Sequence, residues 1–206
     1  MAIQPDVLQT LKPQPYDSIR EVVRDGDLLL CSANDGFSRL IRWATRSPWS
    51  QLGIAFRLEE VDRVLVLECV EKIGVRAVPL STFISRTSSG VHPYPGKILL
   101  ARHGAMAAKT RRKPWKKMAA FAFQRLGDRF SQAETFKIAL RIAVSRFGRR
   151  LHPSLGPKDE FICSEYVARC LKAVGVEVPW DGLGFVAPSD IANDPRVEAV
   201  AQIRTR

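Results

Sequence analysis

Two apolar segments that follow each other closely constrain the fold of this chain more than any other feature. QLGIAFRL (51–58) and RVLVLECV (63–70) have equal lengths, and only EEVD separates them. Because so short a connection allows two strands to pair only in the antiparallel direction, the segments predict a hairpin. The fold is therefore expected to contain an antiparallel sheet built around residues 51–70.

Other segments predict further strands and a set of helices around this hairpin. Short strands are expected near residues 27–31, around 75–78 and in KILLAR. Apolar residues at helical spacing predict helices in NDGFSRLIRWATRSP, LSTFISR, WKKMAAFAFQRL (115–126), ETFKIALRIAVSRF (134–147) and FICSEYVARCLKAVG, with Gly175 ending the last. Since strands come early and helices late, we predict an α+β fold with a small antiparallel sheet packed against helices.

The length and composition fit one globular domain over residues 1–206. The chain is 46% hydrophobic and 26% charged, and no segment has the composition of a linker. Its first residues lack the basic and apolar regions of a secretory signal, and no run of about 18 apolar residues predicts a transmembrane helix. We expect a protein that is cytoplasmic as synthesised, with delivery to the cell envelope or assembly into a phage particle as later fates.

The four cysteines predict neither a disulfide framework nor a metal site. Cys31, Cys69, Cys163 and Cys170 show no CxxC or Cys/His metal spacing. Cys163 and Cys170 would lie two helical turns apart, which is too far to bridge. We expect no cofactor and no metal.

Positive charge is concentrated in one part of the chain. The net charge is +11, and residues 101–150 hold 14 Lys or Arg residues but only two acidic ones, so the rest is close to neutral. This basic segment, taken as residues 105–150, is either a solvated helical face or a surface that binds an anionic partner. No DNA-binding motif accompanies it, so specific nucleic-acid binding is not expected.

The start of the last long helix is a favourable position for a cysteine nucleophile. The apolar stripe of that helix includes Ile162, Tyr166 and Val167, and Cys163 lies at its edge. With Asp159 as the N-cap, Cys163 would be in the first turn, where unpaired N–H groups and the helix dipole stabilise a thiolate. A buried structural cysteine is the alternative interpretation.

The hairpin is the natural source of the base and the orienting group that a nucleophilic cysteine needs. In its first strand, Gln51, Gly53 and Ala55 share a face that is small enough for a helix to approach closely. In its second strand, Glu68 interrupts an apolar run. A carboxylate is costly there unless it has a partner, so Glu68 is a candidate functional residue; the alternative is a strand-edge residue that faces solvent.

These residues and their order resemble a known family. GDLLLCS, RLIRWATRSPWSQLGIAF, the strand with Glu68 followed by GVRAVPLSTFI, FICSEYVARCLKAVGV and APSDIANDPRV occur in the order of the circularly permuted NlpC-like cysteine peptidases. These are papain-fold proteins related to the lecithin-retinol acyltransferase group. The resemblance implies a base on the first hairpin strand, a polar orienting residue on the second and the cysteine at the start of the late helix. By position these are Gln51, Glu68 and Cys163.

Position 51 departs from the family pattern, which would have histidine there. A glutamine amide can donate a hydrogen bond but cannot accept a proton at any working pH. His92, His103 or His152 could supply the base, although each is more typical of a surface or a turn. Glu68 could act as the base, but a carboxylate normally titrates too low to deprotonate a thiol efficiently. Loss of catalysis with retention of the fold is the remaining alternative.

The leading functional hypothesis is a papain-like cysteine hydrolase or amidase, active or impaired, that acts on or binds peptidoglycan stem peptides or another amide or acyl substrate. Cys163 would attack the carbonyl carbon, and its own backbone N–H would stabilise the oxyanion. Glu68 would orient the base or the substrate, and Gln51 would donate a hydrogen bond. The residues expected to bind substrate at the cleft wall are Trp49, Asp35 and Tyr166.

Two alternatives come from other functional classes. The first is an inactive structural or interaction module whose partners are proteins of a phage particle or a secretion apparatus. The second is a thioester or lipid-acyl hydrolase or transferase at a membrane surface, held there by the basic segment.

Overall fold

The computed structural model of the protein describes residues 3, 6–34, 36–71, 73–85, 93–108, 114–130, 160–179 and 186–205. The second predicted helix of the basic segment (134–147) lies outside these ranges. Within them, no helix is both long enough and apolar enough to cross a membrane.

A six-stranded antiparallel sheet forms the centre of the fold. Its strands are β1 (Asp27–Ser32), β2 (Gln51–Leu58), β3 (Arg63–Val70), β4 (Gly74–Pro79), β5 (Lys97–His103) and β8 (Val197–Ile203). Their order in the sheet is β4-β3-β2-β1-β5-β8, and every neighbouring pair is antiparallel. The α+β class and the antiparallel sheet are therefore confirmed. The sheet is larger than predicted, because the strand at its edge, β8, is not among the predicted ones.

The helices of the described residues surround this sheet, and those predicted within these ranges are present. They are α1 (Val7–Thr10), α2 (Tyr16–Val22), α3 (Gly36–Thr45), α4 (Leu80–Ser85), α5 (Gly104–Ala108), α6 (Pro114–Gln124), α7 (Cys163–Lys172) and α8 (Pro188–Ala192). We call α7 the cysteine helix. It is followed by Gly175 at a φ of 74°, a left-handed conformation that suits glycine at the end of a helix.

The central hairpin begins and ends where its sequence predicts. Strand β2 covers residues 51–58 and β3 covers 63–70, and a 3-10 turn at Glu59–Val61 connects them. Asp62 closes the turn with a φ of 47°, a left-handed conformation that aspartate tolerates better than most residues. Its carboxylate forms ion pairs with Arg20 and Arg57, which tie the turn to helix α2 and to β2.

The cysteine helix and the small residues of β2 lie on opposite faces of the sheet. Leu52 and Ile54 of β2 belong to the same buried cluster as Tyr166 and Val167 of the cysteine helix. Ala55 belongs to a second cluster, on the other face, together with residues of α2 and α4. The cysteine helix therefore packs on the aliphatic face of β2, rather than on the face of Gly53 and Ala55.

A short second sheet connects this framework to the start of the cysteine helix. Strand β6 (Arg129–Phe130) pairs in parallel with β7 (Glu160–Phe161), and the cysteine helix begins two residues after β7. The turn before β6 is hydrogen-bonded to β4: Val75 N–H donates to Asp128 O at 2.8 Å, and Gly127 N–H donates to Val75 O at 2.9 Å. The edge of the main sheet therefore supports the residues that lead into Cys163.

Gly74 allows the close approach of this turn, so we predict that Gly74→Ala lowers the free energy of unfolding by about 2–4 kcal/mol. Its φ is 87°, and an added Cβ would lie 2.1 Å from Asp128 O, so the substitution adds a backbone clash to an unfavourable conformation. Urea unfolding of the purified variant measures the loss.

Gly127→Ala is the matched control for this prediction. Gly127 has a similar φ of 88°, but an added Cβ would have no neighbour within 4 Å. We expect a loss of only about 1–2 kcal/mol, from the conformation alone. Equal losses in the two variants would contradict the tight contact between Gly74 and Asp128.

Candidate functional site

Cys163 is the first residue of the cysteine helix. The N-cap residue is Ile162, whose side chain makes no capping hydrogen bond. The prediction of Asp159 as the N-cap is wrong by three positions, because the chain enters the helix directly from β7; Asp159 itself lies outside the described residues. The N-cap therefore supplies no side-chain acceptor to the N–H groups of the first turn, and these groups lie next to the thiol.

The thiol lies where β2 and β3 separate. The β2–β3 register ends at the pair Gly53–Glu68, so that Leu52 is one residue beyond the paired region. The backbone N–H of Leu52 donates a hydrogen bond to the Cys163 sulfur, and so does the N–H of Ser164. Cys163 is therefore held against the strand that carries Gln51, at the end of the sheet, and it is partly exposed.

Gln51 and Glu68 are in direct contact in this region. Gln51 Nε2 donates to Glu68 Oε2 at 2.5 Å, and the Tyr94 hydroxyl donates to Gln51 Oε1 at 3.4 Å. A carboxylate only accepts hydrogen bonds, which fixes the amide with its nitrogen toward Glu68. Both polar atoms of the Gln51 amide therefore have partners, and the group has a defined orientation.

Arg76 completes the coordination of Glu68. Arg76 Nε and Nη2 approach Glu68 Oε1 at 2.9 and 2.6 Å, and the two residues are paired in the β3–β4 register. Glu68 is 1% exposed, so its alternative placement as a solvent-facing strand-edge residue is wrong. Burial raises the pKa of Glu68, while the charge of Arg76 and the hydrogen bonds from Arg76 and Gln51 lower it.

The pKa of Cys163 is raised above its ordinary value. The largest cause is burial of the sulfur, within a residue that is partly exposed as a whole, and the nearby carboxylate of Glu68 acts in the same direction. The hydrogen bonds from Leu52 and Ser164 lower the pKa, but they do not reverse its direction. The position of Cys163 at the helix N-terminus therefore does not by itself lower the pKa of its thiol, contrary to the expectation from the sequence.

The buried thiol of Cys31 adjoins the same network from the neighbouring strand. Cys31 pairs with Gln51 in the β1–β2 register. Burial raises its pKa well above the ordinary value, and Glu68 and Cys163 raise it further, whereas a hydrogen bond with Tyr94 lowers it. The sheet thus brings Cys31 and Glu68 close enough to Cys163 for their charges to interact with its thiol, and Gln51 and Tyr94 contact these two residues.

Two of the three residues predicted for the cleft wall are core residues. Trp49 is 1% exposed and Tyr166 is fully buried, and the Tyr166 hydroxyl donates to Ala122 O at 3.0 Å. Neither side chain is exposed to a ligand, so the structure does not support a role in substrate binding for either residue. Asp35 lies outside the described residues.

The one histidine among the described residues occupies a different buried site. His103 is 1% exposed, so it is not the surface or turn residue that its type suggests. Its Nδ1 accepts from the Ala105 N–H at 3.1 Å, and its Nε2 lies 3.3 Å from Asp194 Oδ2. Because Nδ1 acts as an acceptor, Nε2 carries the proton. His92 and His152 lie outside the described residues.

Arg76 and Tyr94 are the members of the network that sequence reasoning missed. Arg76 interrupts an apolar strand, GVRAVP, just as Glu68 interrupts the previous one, and two such charges on adjacent strands are a signal for a buried pair. Tyr94 precedes β5 in a Pro-rich connection, where no local pattern distinguishes it from a surface tyrosine.

Comparisons with known proteins provide a fold relationship. No protein-family model and no curated protein sequence matches the chain. Among solved structures, the chain is similar to the metalloprotein yiiX from Escherichia coli O157:H7, with a TM-score of 0.60 and 19% sequence identity. The similarity covers 87% of this chain and 97% of that one. At this identity, the relationship concerns the fold alone.

The described side chains around Cys163 do not form a donor set for a metal. In the ranges that the structure describes, no group of three or more His, Cys, Asp or Glu side chains is arranged to hold a metal ion. Cys163 and Glu68 instead have neighbours that donate hydrogen bonds, namely Leu52, Arg76 and Gln51.

We predict that alkylation of Cys163 in the wild-type protein becomes fast only above about pH 8.5, the ordinary thiol value, because burial and Glu68 disfavour the thiolate. Peptide mass spectrometry after brief iodoacetamide treatment over a pH series measures the rate at each cysteine. Cys170 provides an internal reference, since burial raises its pKa to about 12 and leaves it unreactive over this range. A rate at Cys163 that is already maximal near pH 7 would contradict the raised pKa.

Proposed function

We propose that this chain is a permuted NlpC-like, papain-type domain that binds peptidoglycan stem peptides at the Cys163 site and hydrolyses them poorly or not at all. One observation carries the proposal: the Gln51 amide is held between Glu68 and Tyr94, next to the strand residue that donates to the Cys163 sulfur. This arrangement supports a site derived from a cysteine hydrolase that lacks a proton acceptor at residue 51.

Amide hydrolysis by a cysteine requires a proton to move twice. The thiol must lose its proton before its sulfur bonds to the carbonyl carbon, and the leaving amine must gain a proton as the C–N bond breaks. Water then hydrolyses the thioester. A histidine can perform both transfers, whereas the Gln51 amide can perform neither. Glu68 is a poor substitute, since its oxygens are occupied by Arg76 and Gln51.

Recognition of an amide does not require either transfer. Cys163 is partly exposed at the end of the sheet, and the adjoining N–H groups of the helix start are suited to the carbonyl oxygen of a bound peptide. The resemblance to NlpC-like peptidases suggests stem peptides as the ligand class. The fold relationship with yiiX supports a shared architecture over most of the chain.

The metal implied for the structural relative is not part of this proposal. The relative yiiX is described as a metalloprotein. For this chain, the thiols of Cys31 and Cys69 and the carboxylate of Glu68 interact with Cys163, and that carboxylate is already engaged with Arg76. We therefore assign no step to a metal.

Gln51→His should increase the reactivity of Cys163 at pH 7 by at least roughly tenfold, because an imidazolium beside a thiolate lowers the pKa of the thiol by one unit or more. Glu68 would accept a hydrogen bond from the new ring and orient it. Alkylation kinetics of the wild type and the variant measure the effect, and an unfolding curve of each verifies that the fold is unchanged.

Gln51→Asn is the control, since it keeps an amide and adds no base, and it should leave the reactivity of Cys163 within about twofold of the wild type. If the histidine variant remained as unreactive as the wild type, position 51 would not face the thiol and the proposed site would be wrong.

We predict that a soluble peptidoglycan stem peptide binds the wild type without being cleaved, and that Gln51→His cleaves it while Gln51→His with Cys163→Ala only binds it. Calorimetry measures binding, and mass spectrometry of the peptide measures cleavage. If the thiol of Gln51→His were reactive but no stem peptide bound, the proposed geometry at Cys163 would stand and stem peptides would be excluded as the substrate class.

A further inference from the structure

Helix α3 and the residue after it expose a stripe that combines an indole ring with two guanidinium groups. Trp43 is 51% exposed, the second largest exposure among the large hydrophobic side chains of the described residues. Arg39 and Arg46 are also exposed. Arg39 lies four residues before Trp43, a spacing that puts these two on one side of the helix, and Arg46 follows the last helical residue with a φ of 49°. We call Arg39, Trp43 and Arg46 the α3 stripe.

An adjacent side of α3 packs beside the entrance to the cysteine helix. Leu40 and Ala44 contact the buried cluster that contains Ile162 and Ala187. Ile162 is the N-cap residue that immediately precedes Cys163. The α3 stripe is therefore on the outer surface of the helix that borders the cysteine site.

The two arginines of the stripe keep their charge available to a partner. Among the residues that the structure describes, neither Arg39 nor Arg46 forms an ion pair. Arg42, on another side of the same helix, instead donates to Ala33 O and Asn34 Oδ1 at 3.2 and 2.8 Å. The stripe is thus a local excess of positive charge next to an exposed indole ring.

We propose that the α3 stripe docks the protein on an anionic phospholipid bilayer. An indole ring is favourable at the boundary between headgroups and acyl chains, because it is apolar with one polar N–H. Arginine side chains extend their apolar stems along such a boundary and keep their charge at the phosphates. A helix lying flat on the membrane presents Arg39 and Trp43 together, and anionic lipids attract the basic residues.

This surface differs from the one that the charge distribution of the sequence suggests. Most of the basic residues belong to the segment 105–150, whereas α3 precedes it in the chain. In the described part of that segment, Lys116 and Lys117 are exposed on α6, and Lys116 lies over the Trp115 ring at 5.8 Å. Substitution of Lys116 and Lys117 therefore removes two positive charges beside another tryptophan, and it is the matched control for the two arginines of the stripe.

The test measures sedimentation with vesicles made of equal parts of phosphatidylglycerol and phosphatidylcholine, at low salt. We expect the wild type to bind these vesicles and not vesicles of phosphatidylcholine alone. Arg39→Gln with Arg46→Gln should weaken binding by at least roughly tenfold, and Trp43→Ala should weaken it by a similar factor, whereas Lys116→Gln with Lys117→Gln should change it by less than about threefold. Urea unfolding of each variant verifies its fold.

Three results would overturn the proposal. The first is equal weakening by the two double variants, which would indicate general electrostatic attraction. The second is the absence of binding to the anionic vesicles at low salt. The third is binding of a single-stranded oligonucleotide that is lost in the α3 variants while vesicle binding is retained, which would identify a nucleic-acid surface. None of these measurements involves Cys163 or Gln51, so they succeed or fail independently of the proposed function.

Discussion

The buried carboxylate of Glu68 is the constraint on which the candidate site depends. An ionised group that is 1% exposed is tolerated only when charged and polar partners replace its water. Arg76 and Gln51 are those partners, so strands β2, β3 and β4 must keep their register at the end of the sheet where Cys163 lies. Loss of a partner from a buried pair typically costs about 3–5 kcal/mol, which gives this polar cluster a role in stability as well as in chemistry.

The electrostatics around Cys163 follow from the same carboxylate. Glu68 is an anion near the sulfur, and the residue of β2 that donates to Glu68 is a neutral amide rather than a cation. Backbone N–H groups of Leu52 and Ser164 stabilise negative charge on the sulfur, yet burial outweighs them and the pKa of the thiol is raised. Under the proposed function, the side chain at position 51 is the one that would decide whether this arrangement favours a thiol or a thiolate.

Features that depend on neighbouring residues could be predicted from the sequence, and those that depend on distant ones could not. The ends of β2 and β3 follow from local patterns, and Glu68 is recognisable as a charge within an apolar strand. The face on which the cysteine helix packs, the pairing of Arg76 with Glu68 and the burial of Trp49 depend on tertiary contacts. The predicted N-cap is three residues too early because β7 carries the chain straight into Cys163.

The parallel pair of β6 and β7 has a consequence for how this chain can vary. The two strands hold the residues on either side of positions 131–159 next to each other, so the sheet does not depend on how long the intervening segment is. Lengthening a connection whose ends are already close adds little closure entropy. A change in the length of the connection between β6 and β7 would therefore leave the entry to Cys163 at the edge of the main sheet.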